Sequence, residues 1–527
     1  MPKFKPYNYD QISMVVINYQ EQLQPGTFEY AIHHLIEHKL DLSIFFPDYA
    51  NDETGRPAYD PAILLKIVLF AYSKSITSSR EIQWCCETNI IFKALSCDSV
   101  PHFTTIASFV SSHGEEIEAL FEQVLLVCHE QGLLGNELFA IDGCKMSSNA
   151  AKEHSGTFKE LRDKSAKLRR LIQYHLKEHQ RMDKQEPKDE ERRKRTEQTI
   201  DTLNSAADRI DAFLKLNSPR MGQGQKPKEV KSNITDNESA KMLTGKGTIQ
   251  GYNGMAAVDK KQQVIVDAQV FGEGQEHHTL APVLERIETR FKRLGIAENI
   301  YQSGTIVTAD TGFANEANMA YLYQRRINAY VPDNRFRQRD PKFAQQKEKY
   351  GKRHQQEQSK SEKSHYSKQV IPANEFKFDE KARTCRCPAG EQLSYRGERA
   401  ASNGKLKAWF EGKLLQCRHC DLKHQCMKNP SAADHRKGAG RQVSFLLEEQ
   451  SKPSYTDWMK KRVDSDFGKQ VYGHRMSVVE PVFGNIGTAK KLKRFSLRGK
   501  QKVQGQWQLY CMIHNIEKLM RYGELAA

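Results

Sequence analysis

Apolar and polar positions change their pattern several times along the 527 residues. The segment 61–72 starts with proline and is apolar on nearly every side, which predicts a buried helix. Similar helical patterns continue up to residue 130. They predict an N-terminal helical domain over residues 1–130. A bundle with a helix-turn-helix and a plain supporting bundle fit this pattern equally well.

Short apolar runs then predict buried strands. The run 138–141 ends at Asp142, and a later run ends at Asp310. Two further runs, 251–258 and 262–271, are separated by a polar triplet and predict a β-hairpin. Helical patterns follow the hairpin and the second aspartate. The predicted fold class is therefore α/β, a mixed sheet flanked by helices.

Changes in composition divide the rest of the chain. Two amphipathic stripes flank a highly charged stretch, which is typical of a helical hairpin, and a segment rich in Gln and Lys is typical of a linker. The predicted division is 131–150 with 236–332 as the sheet-forming core, 151–235 as an inserted helical arm, 333–370 as a flexible basic linker, 371–430 as a cysteine-rich module, and 431–527 as the C-terminal part of the core.

The charge changes the picture, because 81 Lys and Arg stand against 65 Asp and Glu, a formal net charge of +16. Residues 490–527 alone hold nine Lys or Arg and two Asp or Glu. A local basic excess beside aromatic residues favours nucleic acid as a partner. The residues of this tail that we expect to contact DNA phosphates are Lys490, Lys491, Lys493, Arg494 and Arg498.

The apolar runs also bear on location. None reaches the ~18–20 residues of a membrane helix. The first ten residues lack the apolar stretch of a signal peptide. We therefore expect a cytoplasmic protein without a membrane partner, nucleoid-associated when bound to DNA.

Five of the eleven cysteines fall between residues 385 and 426. In a chain without a signal peptide, such a cluster favours metal over disulfides. We expect one structural Zn²⁺ because tetrahedral sites of four thiolates are typical of such spacing. Reduced, metal-free cysteines are the alternative. The predicted ligands are Cys387, Cys417, Cys420 and Cys426, with Cys385 as the reserve ligand.

The order of elements can also bring three acids together. A strand ending at Asp142, a hairpin, a helix, a strand ending at Asp310 and a late segment with Glu480 follow one another. A ribonuclease-H-like core collects three carboxylates in this order. Carboxylates are the ligands that Mg²⁺ prefers, and two such ions about 3.5–4 Å apart promote phosphodiester cleavage.

Several short motifs accompany these acids: GRPAYDP at 55–61, IDGCK at 141–145, TDNES at 235–239, GYN at 251–253, ADTGF at 309–313, Cys387-Pro388, Cys417-x-x-Cys420 and EPVFG at 480–484. With these motifs in this order, nearly the whole chain resembles the DDE transposases of bacterial insertion sequences. The resemblance is to the subgroup with a helical insert after the first aspartate and a cysteine module before the glutamate.

The resemblance implies a function. Asp142, Asp310 and Glu480 would form the catalytic triad that binds two Mg²⁺ or Mn²⁺ ions. The protein would cleave double-stranded DNA at the terminal inverted repeats of a transposon and join the ends to target DNA. A homodimer is expected on the DNA, since two ends must be joined. Residues 1–130 would then serve DNA binding or dimerisation.

The family's Tyr-Arg-Glu-Lys signature is followed only in part. Tyr472 and Arg475 fit it and are expected to contact DNA. Arg475 precedes Glu480 by five residues instead of four, however, which places the two about 140° apart on a regular helix. Pro481 disfavours helical geometry at Glu480 and predicts a helix start or a kink there. The signature lysine falls on Gly487, so a nearby lysine replaces it or the contact is absent.

Two other functions fit the same sequence. One is a catalytically inactive or repurposed DNA-binding protein of this fold, and the other is a nuclease without strand transfer. All three functions predict DNA binding. Metal-dependent nicking of DNA separates the inactive protein from the other two.

Overall fold

The computed structural model describes residues 16–49, 57–185, 190–222, 227–245, 247–343, 370–400, 406–435, 438–447 and 454–524. The chain divides into one unit of Met1–Arg339 with Tyr455–Ala527 and a second unit of Asp340–Ser454. No helix within the described ranges is both long and apolar enough to cross a membrane.

The first unit contains most of the helices. Their bounds are α1 Tyr19–Gln22, α2 Phe28–His38, α3 Pro61–Ser73, α4 Ser79–Thr88, α5 Ile90–Ser96, α6 Phe103–Ser112, α7 Gly114–Glu130, α8 Phe158–Gln185, α9 Glu190–Leu216, α10 Leu280–Arg293, α11 Glu316–Gln324 and α12 Phe336–Arg339. The second unit adds α13 Leu414–Arg418 and α14 Lys423–Cys426. The first unit resumes with α15 Tyr455–Asp464, α16 Asp466–Gly473, α17 Arg475–Gly484 and α18 Lys500–Tyr522.

A mixed six-stranded sheet lies at the centre of the first unit. Its strands are β1 Leu138–Ser147, β6 Ala240–Thr244, β7 Gly247–Asp259, β8 Ile265–Phe271, β9 Ile306–Ala309 and β10 Ala329–Tyr330. The order is β10-β9-β1-β7-β6, with β8 also paired to β7. Strands β9 and β10 run parallel to β1, whereas β7 runs antiparallel to it. The mixed α/β sheet predicted from the sequence is therefore present.

The first strand is longer than predicted. The sequence predicted a strand that ends at Asp142, but β1 continues to Ser147 and pairs with β7 as far as Gly251. The partner strand explains the difference, because β7 spans thirteen residues and offers backbone partners well beyond Asp142. Asp142 therefore lies within a strand rather than at its end.

The N-terminal helices share one hydrophobic core with this sheet. Helices α2, α3, α6 and α7 pack on α18, where the rings of Tyr72 and Tyr510 stack with centroids 5.1 Å apart. About one turn earlier on α18, Trp507 is fully buried and its Nε1 donates to the carbonyl of Met255. The helical region predicted over 1–130 is thus part of the same unit as the sheet rather than a unit of its own.

The inserted arm consists of α8 and α9, which pack along each other. Ser165 donates to Asp211 at 2.6 Å, and Arg169 pairs with both Asp208 and Asp211. Four short strands at the arm's base pair as β2 Ser155–Gly156 with β5 Ser232–Asn233 and β3 Arg220–Met221 with β4 Glu229–Val230. Most of the predicted flexible linker, 344–369, lies outside the described residues.

The second unit is built on a five-stranded antiparallel sheet. Its strands are β11 Lys377–Asp379, β12 Thr384–Arg386, β13 Gln392–Ala400, β14 Leu406–Glu411 and β15 Gln442–Leu446. The rings of Phe378 and Phe445 stack in its core, 4.5 Å apart. Because β15 completes this sheet, the boundary predicted at residue 430 is too early, and residues 442–446 belong to the cysteine module.

Candidate active site

Asp142 and Asp310 lie next to each other in the sheet. Ile141 on β1 pairs in parallel with Ala309 on β9, so the two aspartates follow at the same level of adjacent strands. Neighbouring strands are about 4.8 Å apart. The Asp142 side chain is 24% exposed, and burial raises its pKa. Oδ1 of Asp310 accepts hydrogen bonds from the Gly312 N–H and the Thr311 hydroxyl, which fixes this carboxylate.

Arg475 reaches Asp142 from the start of α17. Its Nη2 lies 2.7 Å from Oδ2 of Asp142, and this ion pair opposes the rise in the aspartate's pKa. Its Nε is buried without a hydrogen-bond partner among the described residues. Tyr472 is half-buried, with its ring 5.3 Å from that of Phe336, and its pKa is raised by burial. Both residues of the partial signature therefore lie at the aspartates.

Glu480 lies on the same helix as Arg475 but is exposed. The sequence predicted a helix start or a kink here, whereas α17 continues through Pro481 to Gly484. The missing N–H of Pro481 leaves the carbonyl of Ser477 without its helical donor, and Gln263 Nε2 donates to that carbonyl at 3.0 Å instead. No hydrogen bond or ion pair joins Glu480 to another residue within the described ranges.

Two further residues complete the surroundings of the aspartates. Glu276 lies in a short 3-10 turn, Glu276–His278, which packs against the turn after Asp310. Asn253 on β7 is fully buried, and its Nδ2 donates to Glu276 Oε1 at 3.2 Å. Sequence reasoning missed both. Asn253 belongs to the GYN motif at 251–253, for which the sequence predicted no role. A lone glutamate in a loop, such as Glu276, carries no periodic signal.

The side chains fit a hard divalent cation by their chemistry. Carboxylate oxygens are the ligands of Mg²⁺ and Mn²⁺, and burial disfavours the charged form of Asp142 unless a cation balances it. Arg475 is the cation that balances it here. Within the described part of the chain, no three His, Cys, Asp or Glu side chains already converge as a metal site.

The four predicted zinc ligands line one small cavity of about 40 Å³ in the second unit. Burial raises the pKa of Cys417 and of Cys426. The Arg441 N–H donates to the sulfur of Cys417 at 3.4 Å. A thiol set with a hydrogen bond to sulfur fits zinc by its chemistry, although the sulfurs are not at ligand distance from a common point. Cys385 is fully buried in the sheet core and does not line this cavity.

The basic tail lies beside the far end of β1. Phe495 N–H donates to the carbonyl of Ser147, and both Arg494 and Arg498 donate to Asn149. Lys491, Lys493, Arg494 and Arg498 are exposed. Lys490 is buried instead, so the prediction that it contacts a DNA phosphate is wrong. It is 2% exposed and pairs with Glu517 at 2.7 Å, because the turn after α17 points its side chain into the core.

Comparison with known families gives two matches. The family described as "Transposase DDE domain" matches residues 386–520, and the family described as "Transposase domain (DUF772)" matches residues 17–112. No curated protein matches the chain. The first match contains the four predicted zinc ligands, Arg475 and Glu480, and the second covers helices α1 to α6. These two matches support a DDE transposase of the insertion-sequence type.

Proposed function

We propose that this transposase hydrolyses a phosphodiester bond at each end of its mobile element and joins the freed 3′-hydroxyl to target DNA at the same site. One observation carries the proposal. Asp142 and Asp310 lie at the same level of adjacent parallel strands, in a partly buried site where burial raises the pKa of Asp142. Such a site favours a divalent cation.

The residues of this site have distinct proposed roles. A bound Mg²⁺ or Mn²⁺ pair supplies an activated oxygen nucleophile and stabilises the leaving oxygen. Asp142 and Asp310 are its proposed ligands, with Glu480 as the third. Arg475 holds Asp142 and balances its charge, and its unpartnered buried Nε can donate to a DNA phosphate. Tyr472 packs beside this arginine.

The proposed DNA path follows the exposed cations of the tail. The tail segment lies beside the end of β1, the strand that carries Asp142. Its exposed cations are Lys491, Lys493, Arg494 and Arg498. Arg494 and Arg498 are held in place by Asn149, which lowers the entropy lost when they bind phosphates. We propose a homodimer on DNA, since two transposon ends must be joined in one reaction.

The cysteine module is proposed to bind one structural Zn²⁺. Cys387, Cys417, Cys420 and Cys426 line the same cavity, and four thiolates leave no position for a substrate. Thiolates and carboxylates select different metals. The two proposed metal sites therefore differ in both chemistry and role.

Cleavage of a duplex carrying the element's terminal repeat tests the proposal. Wild-type protein with Mg²⁺ should nick the repeat end, and a labelled nicked end should then join to plasmid DNA. Asp142→Asn and Glu480→Gln should each abolish nicking while retaining DNA binding, whereas Asp457→Asn on the surface of α15 should behave as wild type. Binding without nicking by the wild type indicates an inactive DNA-binding protein, and nicking without joining indicates a nuclease.

A further inference from the structure

Glu276 approaches the aspartates from a separate element. It follows β8 and precedes α10, and its turn packs on the turn Thr311–Phe313 that Asp310 caps. A Cβ built on Gly312 would lie 2.5 Å from Oε2 of Glu276 and 3.7 Å from Oδ1 of Asp310. Both carboxylate oxygens therefore approach the same point. The absence of a side chain at Gly312 provides the space in which they do so.

Asn253 holds Glu276 in this position and adds a second observation. Its Nδ2 donates to Glu276, while its Oδ1 is buried and has no hydrogen-bond partner among the described residues. That oxygen would lie 2.7 Å from a Cβ on Gly143, the residue after Asp142. A buried amide oxygen without a donor is costly. An oxygen of this kind is satisfied by a hard cation or by water bound to one.

The charges around Glu276 also lack balance. Burial raises the pKa of Glu276, and the negative charges of Asp310 and Asp142 raise it further. The hydrogen bond from Asn253 and the positive charge of Lys145 lower it. Arg475 pairs with Asp142, and Lys145 is exposed. Three neighbouring carboxylates thus share one buried positive partner.

We propose that Glu276 is a further metal-binding carboxylate of the active site, acting with Asp142 and Asp310, and that Asn253 is its positioning residue. The proposal rests on the proposed function, since it needs a divalent cation at the two aspartates. It adds a ligand from the connection between β8 and α10. This connection precedes Asp310 in the sequence, whereas Glu480 follows it. Glu276 is half-buried and fixed before a cation arrives, whereas Glu480 is exposed.

Binding of Mn²⁺ to the full-length protein without DNA tests this role. The electron paramagnetic resonance signal of free Mn²⁺ counts the bound ions. Titrations should compare the wild type with Asp310→Asn, Glu276→Gln, Glu276→Asp and Glu273→Gln. The last variant makes the same charge change three residues earlier in the same loop. Zinc can stay bound throughout, because Mn²⁺ competes poorly for thiolates.

The proposal expects Glu276→Gln to weaken Mn²⁺ binding at least tenfold, as Asp310→Asn does, with Glu273→Gln unchanged. Glu276→Asp keeps the carboxylate and should bind Mn²⁺ better than Glu276→Gln. The melting temperature of metal-free Glu276→Gln should equal or exceed that of the wild type, because one like charge is removed, while its rise on adding Mn²⁺ should be lost.

Three results overturn the proposal, and they differ in what else they overturn. If Glu276→Gln binds Mn²⁺ as the wild type does while Asp310→Asn is weakened, Glu276 is not a ligand and the proposed function stands. If Asp310→Asn also binds as the wild type does, the metal site at the aspartates is wrong, and both proposals fail. Equal loss of Mn²⁺ binding in Glu276→Gln and Glu276→Asp, with lowered melting temperatures in both, assigns Glu276 a structural role and also overturns the proposal.

Discussion

The acid site and the cysteine cavity collect their side chains in different ways. Asp142 and Asp310 are more than 160 residues apart and are aligned by backbone pairing between two strands of a large buried sheet. The cysteines of the cavity lie within about 40 residues of one another, on a turn and two short helices beside a small sheet. The large sheet fixes the positions of the two aspartates, whereas little packed structure fixes the positions of the cysteines.

The two proposed metal sites also differ in the size of the hydrophobic core around them. The core of the first unit extends from the N-terminal helices through the sheet to α18, so it keeps the aspartates in place without a ligand. Among the described residues of the second unit, the core cluster comprises seven buried apolar residues, Cys385 among them. A core of that size contributes little stabilisation. The proposed metal of the second unit would therefore contribute mainly to folding, and that of the first unit mainly to chemistry.

The largest expected effect concerns chemistry at the first site. Asp310→Asn should reduce Mg²⁺-dependent nicking by at least about 1,000-fold, because it removes a carboxylate ligand where the reaction takes place. The melting transition should change little, since Asn can still accept the hydrogen bonds from Thr311 and Gly312. Gel-based nicking rates and thermal denaturation measure the two quantities. Retained nicking would mean that the sheet aligns these acids for another reason.

Loss of zinc should act on folding instead. Elemental analysis should find about one zinc per chain, and Cys417→Ser should lose it because one of four ligands is gone. Trypsin should then cut within residues 370–447 faster, while the remaining unit keeps its melting temperature. Cys97→Ser, at an exposed cysteine of the first unit, is the matched control. Zinc-free wild-type protein with a protease-resistant module would contradict the comparison.

A pH effect should separate the first unit from the second. His514 on α18 is buried, and burial lowers its pKa to about 3. Asn485 donates to its Nδ1, and its Nε2 donates to the Gln263 carbonyl, so a second proton would face a donor. An unfolded histidine has a pKa of about 6.5, so stability is complete above that pH and is lost as the pH falls below it. At pH 5 the loss is about 2 kcal/mol.

Denaturant unfolding at pH 7 and pH 5 measures this loss, and His514→Gln should remove the histidine's share of it. Lys490 and Lys518 lie close enough to His514 to oppose its protonation, so the comparison needs their charges intact. An unchanged pH dependence in His514→Gln would show that the histidine is not buried as a neutral ring in solution.

The smallest effect concerns the basic tail. Replacing both Lys491 and Lys493 by Gln should reduce the slope of log affinity against log salt by about 1.8, since each lost phosphate contact contributes about 0.9. Lys490→Gln removes one positive charge from the same segment but should leave the slope unchanged and lower stability, because Glu517 loses its buried partner. Fluorescence anisotropy over a salt series measures the slope. An equal slope in all variants would show that the tail does not contact DNA.

Much of the first unit could be predicted from local patterns. Apolar runs ending in Asp142 and Asp310 identified both strands, because buried parallel strands leave continuous apolar sequence. The extent of β1 could not be read in this way, since it depends on the length of β7. The same limit applies to β15, which joins the cysteine sheet through pairing with β14.

Side-chain surroundings were harder to predict than elements. The burial of Lys490 depends on the turn after α17 and on Glu517, 27 residues later. The five-residue spacing of Arg475 and Glu480 correctly indicated that they occupy different faces, but not that Arg475 would be the one to reach Asp142. Glu276 and Asn253 meet only because β7, β8 and the following turn are packed together. The catalytic roles of Asp142, Asp310 and Glu480 and the metal-binding role of the four cysteines stay predictions.

Iron-directed cleavage of the protein backbone tests the central claim most directly. Fe²⁺ can replace Mg²⁺ at carboxylate sites, and with ascorbate and peroxide it generates hydroxyl radicals that cut the chain next to the bound ion. The account predicts cuts near residues 142 and 310 that are suppressed by excess Mg²⁺ and absent in Asp310→Asn. Cuts that avoid both strands, or that persist unchanged in Asp310→Asn, would contradict it.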